Sequence, residues 1–463
     1  MLALIAYGMA VIHWLQLGVL QGMALEAGSA SAALGALLGV MGSQSKKAGW
    51  LKLLSPRAKA LAGAALMLVG LLVLADYAVD RMIAVWPDCY FPALLLAVIA
   101  WAFLAWWLPI NNISIHRYYR DRLMETFMPD IEKLLDGRSV QEARQANRTG
   151  VHELAEGGNP EAPYHLINTN VILVESRIAK FRGRGGDNFV ISPLYSGSNA
   201  TGWLDTRSFC GGGITLPTAV AISGAAANPD SGVAGKGLTI HPLISVLMSI
   251  FNLRLGYWVS NPDKDEPRQQ SRIPNYLKPG LWEILRRKSM NEGAEFMQLS
   301  DGGHFENLAL YELFRRHARL IVVCDAGADP DYRFEDLANA LEKARVDFGV
   351  EVDIGREDLM RLAPAGKPSA CDRDYAVAET AWLTAPICYH DGHEDGLLVY
   401  IKTTLCEGLG AELHGYKRAH PEFPDESTAD QFFDEVQFEA YRQLGWEIAQ
   451  QMLGDPKMKP WLA

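Results

Sequence analysis

Glu295-Phe-Met-Gln-Leu-Ser-Asp-Gly-Gly-His304, running on into Phe305-Glu-Asn-Leu-Ala-Leu-Tyr-Glu-Leu-Phe314, is the stretch on which the fold turns. Phe296, Met297 and Leu299 suit a buried strand. Gly302 and Gly303 permit backbone angles that side chains resist, so a sharp reversal is expected beside Asp301. Leu310, Leu313, Phe314 and Ala318 recur at helical spacing, with Arg315, Arg316 and Arg319 placed to suit the C-terminal end of the helix dipole. The apolar run Leu320-Ile-Val-Val-Cys324 follows, so the unit reads strand, helix, strand. Two readings of Asp301 stand side by side. It caps free backbone N–H groups, or it is a functional acid at the C-terminal end of a strand, where α/β folds place chemistry.

The chain has 463 residues and a formal net charge of -11, which argues against nucleic acid as a partner. Cys89, Cys210, Cys324, Cys371, Cys388 and Cys406 are scattered without close spacing, so neither a disulfide framework nor a zinc site is expected. Hydropathy splits the chain: residues 1–109 are mostly apolar, and the rest has the composition of a soluble domain.

Within the apolar part, residues 2–25 read either as a membrane span or as a helix packed on other spans. Residues 60–79 and 91–108 are the clearer candidate spans, the second with Trp101, Trp106 and Trp107 toward its far end as interface anchors. Lys46, Lys47, Lys52, Arg57 and Lys59 precede this pair, and His116, Arg117, Arg120 and Arg122 follow it. The connecting loop is expected to hold Asp76, Asp80 and Asp88 against Arg81, so residues after 116 are expected on the cytoplasmic side.

Residues 110–163 read as a helical polar connector (118–127, then 131–142) closed by a Gly/Asn/Pro cluster at 157–163. Residues 164–463 read as an α/β portion. Strands are expected at 165–174, 188–193, 350–354 and 397–403, with a hairpin or loop at Gly183, Gly185 and Gly186. Helices are expected at 215–227, 329–349 and 431–453, the last burying Phe433, Phe438, Tyr441 and Leu444. His241 to Trp258 is apolar on nearly every face, and reads as a core helix or as a lipid-touching surface.

With these stretches in view, Ser300-Asp-Gly-Gly-His-Phe-Glu-Asn307 resembles the Asp-Gly-Gly block of patatin-like phospholipases, and Ala221-Ile-Ser-Gly-Ala-Ala-Ala-Asn-Pro229 is similar to the family's preceding small-residue block. Ile191–Ser198, Phe251–Trp258, Leu320–Gly327 and Phe423–Asp430 resemble blocks of large bacterial members with membrane segments, so the likeness covers about residues 110–450. It implies an α/β/α layered sheet behind N-terminal transmembrane helices in a bacterial inner membrane, and a lipid acyl hydrolase using a Ser–Asp dyad. Asp301 would be the base, Gly302 and Gly303 would shape its turn, the substrate would be a membrane lipid, and no metal or cofactor is called for.

The sequence departs from the family at the nucleophile. No serine lies in G-x-S-x-G; Ser223 in Ala-Ile-Ser-Gly-Ala comes nearest, and Ser198 also fails. Gly211-Gly-Gly213 reads as a turn rather than an oxyanion loop. The nucleophile is therefore expected from an N-terminal half or a partner chain, with a non-catalytic relative as the alternative, and this chain alone is expected to be inactive.

Elsewhere, His390, His393, Glu394 and Asp395 have residue types a metal accepts, but read as a solvated loop. Asp325 and His304 read as structural, Cys210 and Cys324 as buried, and Lys180, Arg182 and Arg184 as a solvated basic loop.

Overall fold

The computed structural model describes residues 56–458, except 86, 130–143, 157–162, 233–236, 265–266, 282–283, 285–289, 365–374, 391, 427–433 and 457. The expectations for residues 2–25, for the helix at 131–142, for most of the 157–163 cluster and for Phe433 lie outside the described residues. The chain is mixed α/β and divides into two compact units, Met1–Phe305 and Glu306–Ala463.

Among the described residues the first unit opens with two helices long and apolar enough to cross a membrane, α1 (Pro56–Val85) and α2 (Tyr90–Trp107), and little of either is buried. Asp76, Asp80 and Arg81, expected in the loop between them, ride instead on the last turns of α1. Spaced charges do not break a helix, and the apolar run resumes as far as Val85. α3 (Ile115–Phe127) follows.

β1 (Ile167–Ile172), β2 (Gly186–Ile191), β3 (Tyr195–Ser198), β4 (Gly202–Asp205), β5 (Tyr257–Ser260) and β6 (Phe296–Asp301) form one sheet in the order β4-β3-β2-β1-β6-β5, antiparallel at every pairing. Between β1 and β2 lies a short helix, α4 (Ala179–Arg184), where a hairpin or loop was expected; Gly185 ends it in the left-handed conformation.

Thr169, Asn170 and Val171 of β1 stand opposite Asp301, Ser300 and Leu299 of β6. Strand side chains alternate between faces, so Val171, Phe189, Met297 and Leu299 share the apolar face. Against them pack Ala219 and Ile222 of α5 (Leu216–Ser223). The alternate residues Asn170, Asn188, Gln298 and Ser300 are buried polar groups, joined in part by hydrogen bonds such as Asn170 Nδ2 to Ser300 Oγ, 3.3 Å. The helix expected over 241–258 stops early: α6 covers Pro242–Ile250, and Tyr257–Ser260 is β5.

In the second unit β7 (Leu320–Asp325), β8 (Val350–Val352), β9 (Trp382–Tyr389) and β10 (Gly396–Lys402) form a sheet in the order β7-β10-β9-β8, parallel only between β7 and β10. α7 (Leu310–Arg315) and α8 (Glu335–Phe348) cover it through Leu310, Phe314, Leu337, Ala340 and Ala344. Gly349 ends α8 at φ 69°. The strand-helix-strand reading of 296–324 gave the right element order, but β6 and β7 belong to different sheets. Local pattern shows each strand and not its partner, and β6 pairs with β1, far away in sequence.

α7 ends at Arg315, short of Arg319; Arg315 and Arg316 instead pair with the buried Glu312. Cys324, expected inside, is exposed with Val322, because β7 is an edge strand open on one face. Phe438 is likewise exposed on α9 (Glu435–Gly454), whose buried stripe is Gln437, Ala440, Leu444, Ile448 and Met452.

Candidate active site

β6 delivers Asp301 to the end of the sheet on the face that α5 covers, and the last residue of α5 is Ser223. The two therefore meet on one patch, built around a single backbone carbonyl. The Ser223 hydroxyl donates to the Asn168 oxygen at 2.7 Å, and a Cβ at Gly302 would stand 2.7 Å from that same oxygen. Close approach is thus why position 302 is glycine. The backbone freedom expected there is not used, since neither Gly302 nor Gly303 has a positive φ.

Asp301 is half-buried, and its Oδ1 accepts the Gly303 N–H at 2.7 Å, capping the short turn Gly302–His304. The cap and functional readings are therefore compatible. Burial pushes its carboxyl up to about 6, against the opposing pull of the Gly303 N–H. Among the described residues no cation pairs with it.

Tyr119 of α3 completes the patch. Its hydroxyl would lie 2.5 Å from a Cβ at Gly224, directly after Ser223. Its phenol is held above the usual range, first by burial and then by the charge of Asp301, so it stays a proton donor. Sequence reading missed this residue, which sits in what looks like a polar connector helix.

His304 is buried, with Nδ1 3.0 Å from Ser300 Oγ, and burial lowers its imidazole to about 4 despite a hydrogen bond with the Ala226 backbone. It is neutral at pH 7 and held by these two contacts. Ser198 is buried against Thr201 Oγ1 at 3.0 Å on β3, which β2 and β1 separate from β6. The Gly211–Gly213 segment is a turn whose Gly211 and Gly213 N–H groups are bound to Ser208 and Cys210 carbonyls. Burial raises the Cys210 thiol to about 12, keeping it protonated.

No protein-family model and no curated protein matches this chain.

The second unit holds the other strand-end acid. Asp325 is buried; its Oδ1 accepts the Gly327 N–H at 2.9 Å and lies 3.3 Å from Lys402 Nζ, and Oδ2 accepts the Tyr400 hydroxyl. Lys402 also donates to the Gly327 carbonyl at 2.6 Å. The loop residues His390, His393 and Glu394 diverge to Glu351, the ring of His317 and Arg319 respectively.

Proposed function

We propose that this chain is the aspartate-bearing, membrane-anchored part of a patatin-like lipid acyl hydrolase, with residues after α2 on the cytoplasmic face of a bacterial inner membrane. The patatin-like α/β/α layering belongs to the same proposal. One observation carries it: a half-buried carboxyl at a sheet end, raised to about 6 by burial and, among the described residues, without a cationic partner, on a patch that also holds the Ser223 and Tyr119 hydroxyls.

A carboxylate of that basicity is ionised at neutral pH, yet can accept a proton from an alcohol as it attacks. In the proposed reaction Asp301 takes the proton of a serine hydroxyl as its oxygen adds to the ester carbonyl. The leaving alcohol departs with that proton, and water then releases the acid by the reverse transfer. Tyr119 is suited to donate to the carbonyl oxygen as charge builds there. The serine comes from a further segment or partner chain carrying G-x-S-x-G, because Ser223 spends its hydrogen bond on Asn168.

The same hydrogen bond, with the capping duty of Asp301, favours a second reading: a non-catalytic binding or assembly module. Co-expression with a G-x-S-x-G segment, assayed on a phospholipid ester, separates the two. Activity that Asp301→Asn lowers by about 10²–10⁴-fold supports the hydrolase. Unchanged activity in that variant removes Asp301 as base, and fluorophosphonate labelling of Ser223 in the chain alone overturns the split-site assignment.

A further inference from the structure

Ser245, Leu247 and Ser249 of α6 are buried, while Ile250 and, just past the helix, Phe251 and Leu253 are exposed. Water selects against such exposure, since each of these side chains forgoes part of the about 1.5–3 kcal/mol that its full burial contributes. α6 packs against α1, one of the two helices apolar enough to span a membrane.

The loop after α6 is tied to the exit of the other apolar helix. Asn252 Nδ2 donates to the Ile110 carbonyl at 2.8 Å, and the Ile110 N–H donates to the Pro274 carbonyl at 3.0 Å. Ile110 follows closely on Trp107, where α2 ends with Trp106 and Trp107 exposed as interfacial tryptophans commonly are. Phe251 and Leu253 flank Asn252, and Ile273 precedes Pro274, so three apolar side chains are held where the chain leaves α2. They are 38%, 41% and 65% exposed. Ile113 and Ile115, next along the chain, are exposed too.

We infer that Ile113, Ile115, Phe251, Leu253 and Ile273 form a collar immersed in the headgroup–acyl boundary of a phospholipid bilayer, docking the six-stranded sheet on the membrane surface. The occupant follows from continuity: the collar begins where the two apolar helices end, and the exposed Arg117 beside Ile115 suits the phosphate level. The inference rests on α1 and α2 crossing a bilayer and is independent of any hydrolysis.

The test uses the full chain in phospholipid nanodiscs, with photoreactive benzoylphenylalanine replacing Phe251, Ile273, Phe103 or Tyr195 one at a time. All four positions are exposed, so the analogue leaves packing intact. Phe103 lies within α2; Tyr195 lies on β3, well across the sheet from β5. Irradiation should give lipid adducts at Phe251 and Ile273 comparable to Phe103 and at least about tenfold above Tyr195, as interfacial immersion requires. Adducts to protein at Phe251 and Ile273, or none while Phe103 takes lipid, overturn the collar. A Phe103 position without lipid overturns the spans and the collar together. Lipid adducts at Phe251 and Ile273, together with unchanged activity of Asp301→Asn in the co-expressed system, uphold the collar and sink the hydrolase reading alone.

Discussion

Asp301 and Asp325 are the same local device in two settings. Each is the last residue of a strand, and each accepts the N–H of the glycine two residues on, at 2.7 and 2.9 Å. Beyond that turn they part. Asp325 is buried with Lys402 and the Tyr400 hydroxyl around it, and the phenol is pushed up by burial and by that carboxylate. Asp301 has only its glycine N–H among the described residues, a partly open flank, and two hydroxyls nearby. A strand-end acid becomes a fastening when a cation neutralises it, and a candidate base when nothing does.

Removing the cation from the fastening should have the largest effect on stability. Lys402→Met leaves Asp325 buried without its counter-charge, and such losses cost about 3–5 kcal/mol. Thermal unfolding of the full chain in detergent should show the second unit melting earlier; an unchanged midpoint would make the two aspartates equivalent after all. Gly302→Ala ranks next. Its Cβ would stand 2.7 Å from the Asn168 backbone oxygen, an overpacking worth roughly 1–3 kcal/mol. At Gly327 the closest neighbour of an added Cβ is a side-chain oxygen, Asp325 Oδ1, at 3.2 Å, so Gly327→Ala should cost less in the same measurement. The reverse ranking would mean that the Asn168 carbonyl does not organise the Asp301 patch.

Much of this contrast was out of reach of the sequence, for a physical reason. Strand, turn and helix around residue 300 are legible in order from local alternation; β6 is where that rule puts it, while α7 begins at Leu310 as expected and ends at Arg315, early. The two apolar helices are equally legible. Partners are not, because they come from pairings distant along the chain: the Asn168 carbonyl reaches Gly302 and the Ser223 hydroxyl at the end of β1, Tyr119 of α3 reaches Gly224 and feels the charge of Asp301, and Lys402 reaches Asp325 through the parallel register of β10 on β7. Lys402 left a trace as a cation closing an apolar run, whereas Tyr119 left none. Apolar runs also misled where one face stays open, as at Cys324 and past Ile250.

The smallest effect is also the most diagnostic, because it reads Asp301 without any substrate. Its carboxyl sits at about 6 in the folded chain, against an ordinary value of 3.8. Between those values the folded state holds a proton that the unfolded state has released, so this group makes stability fall as pH rises through the window. Asp187 and Glu306, raised by burial to about 6 and about 7, add the same trend, so the wild-type curve alone does not isolate Asp301. The difference from Asp301→Asn does. The amide can still accept the Gly303 N–H but never ionises, so the variant should gain on the wild type from pH 4 to pH 7. The gain should be on the order of 1–2 kcal/mol once solvent screening at a partly exposed group is allowed for. Any hydrolysis restored by a nucleophile segment should rise over the same interval, since the base acts only when ionised. Parallel unfolding curves for variant and wild type would mean that Asp301 keeps an ordinary carboxyl, and the contrast with Asp325 would then be one of burial alone.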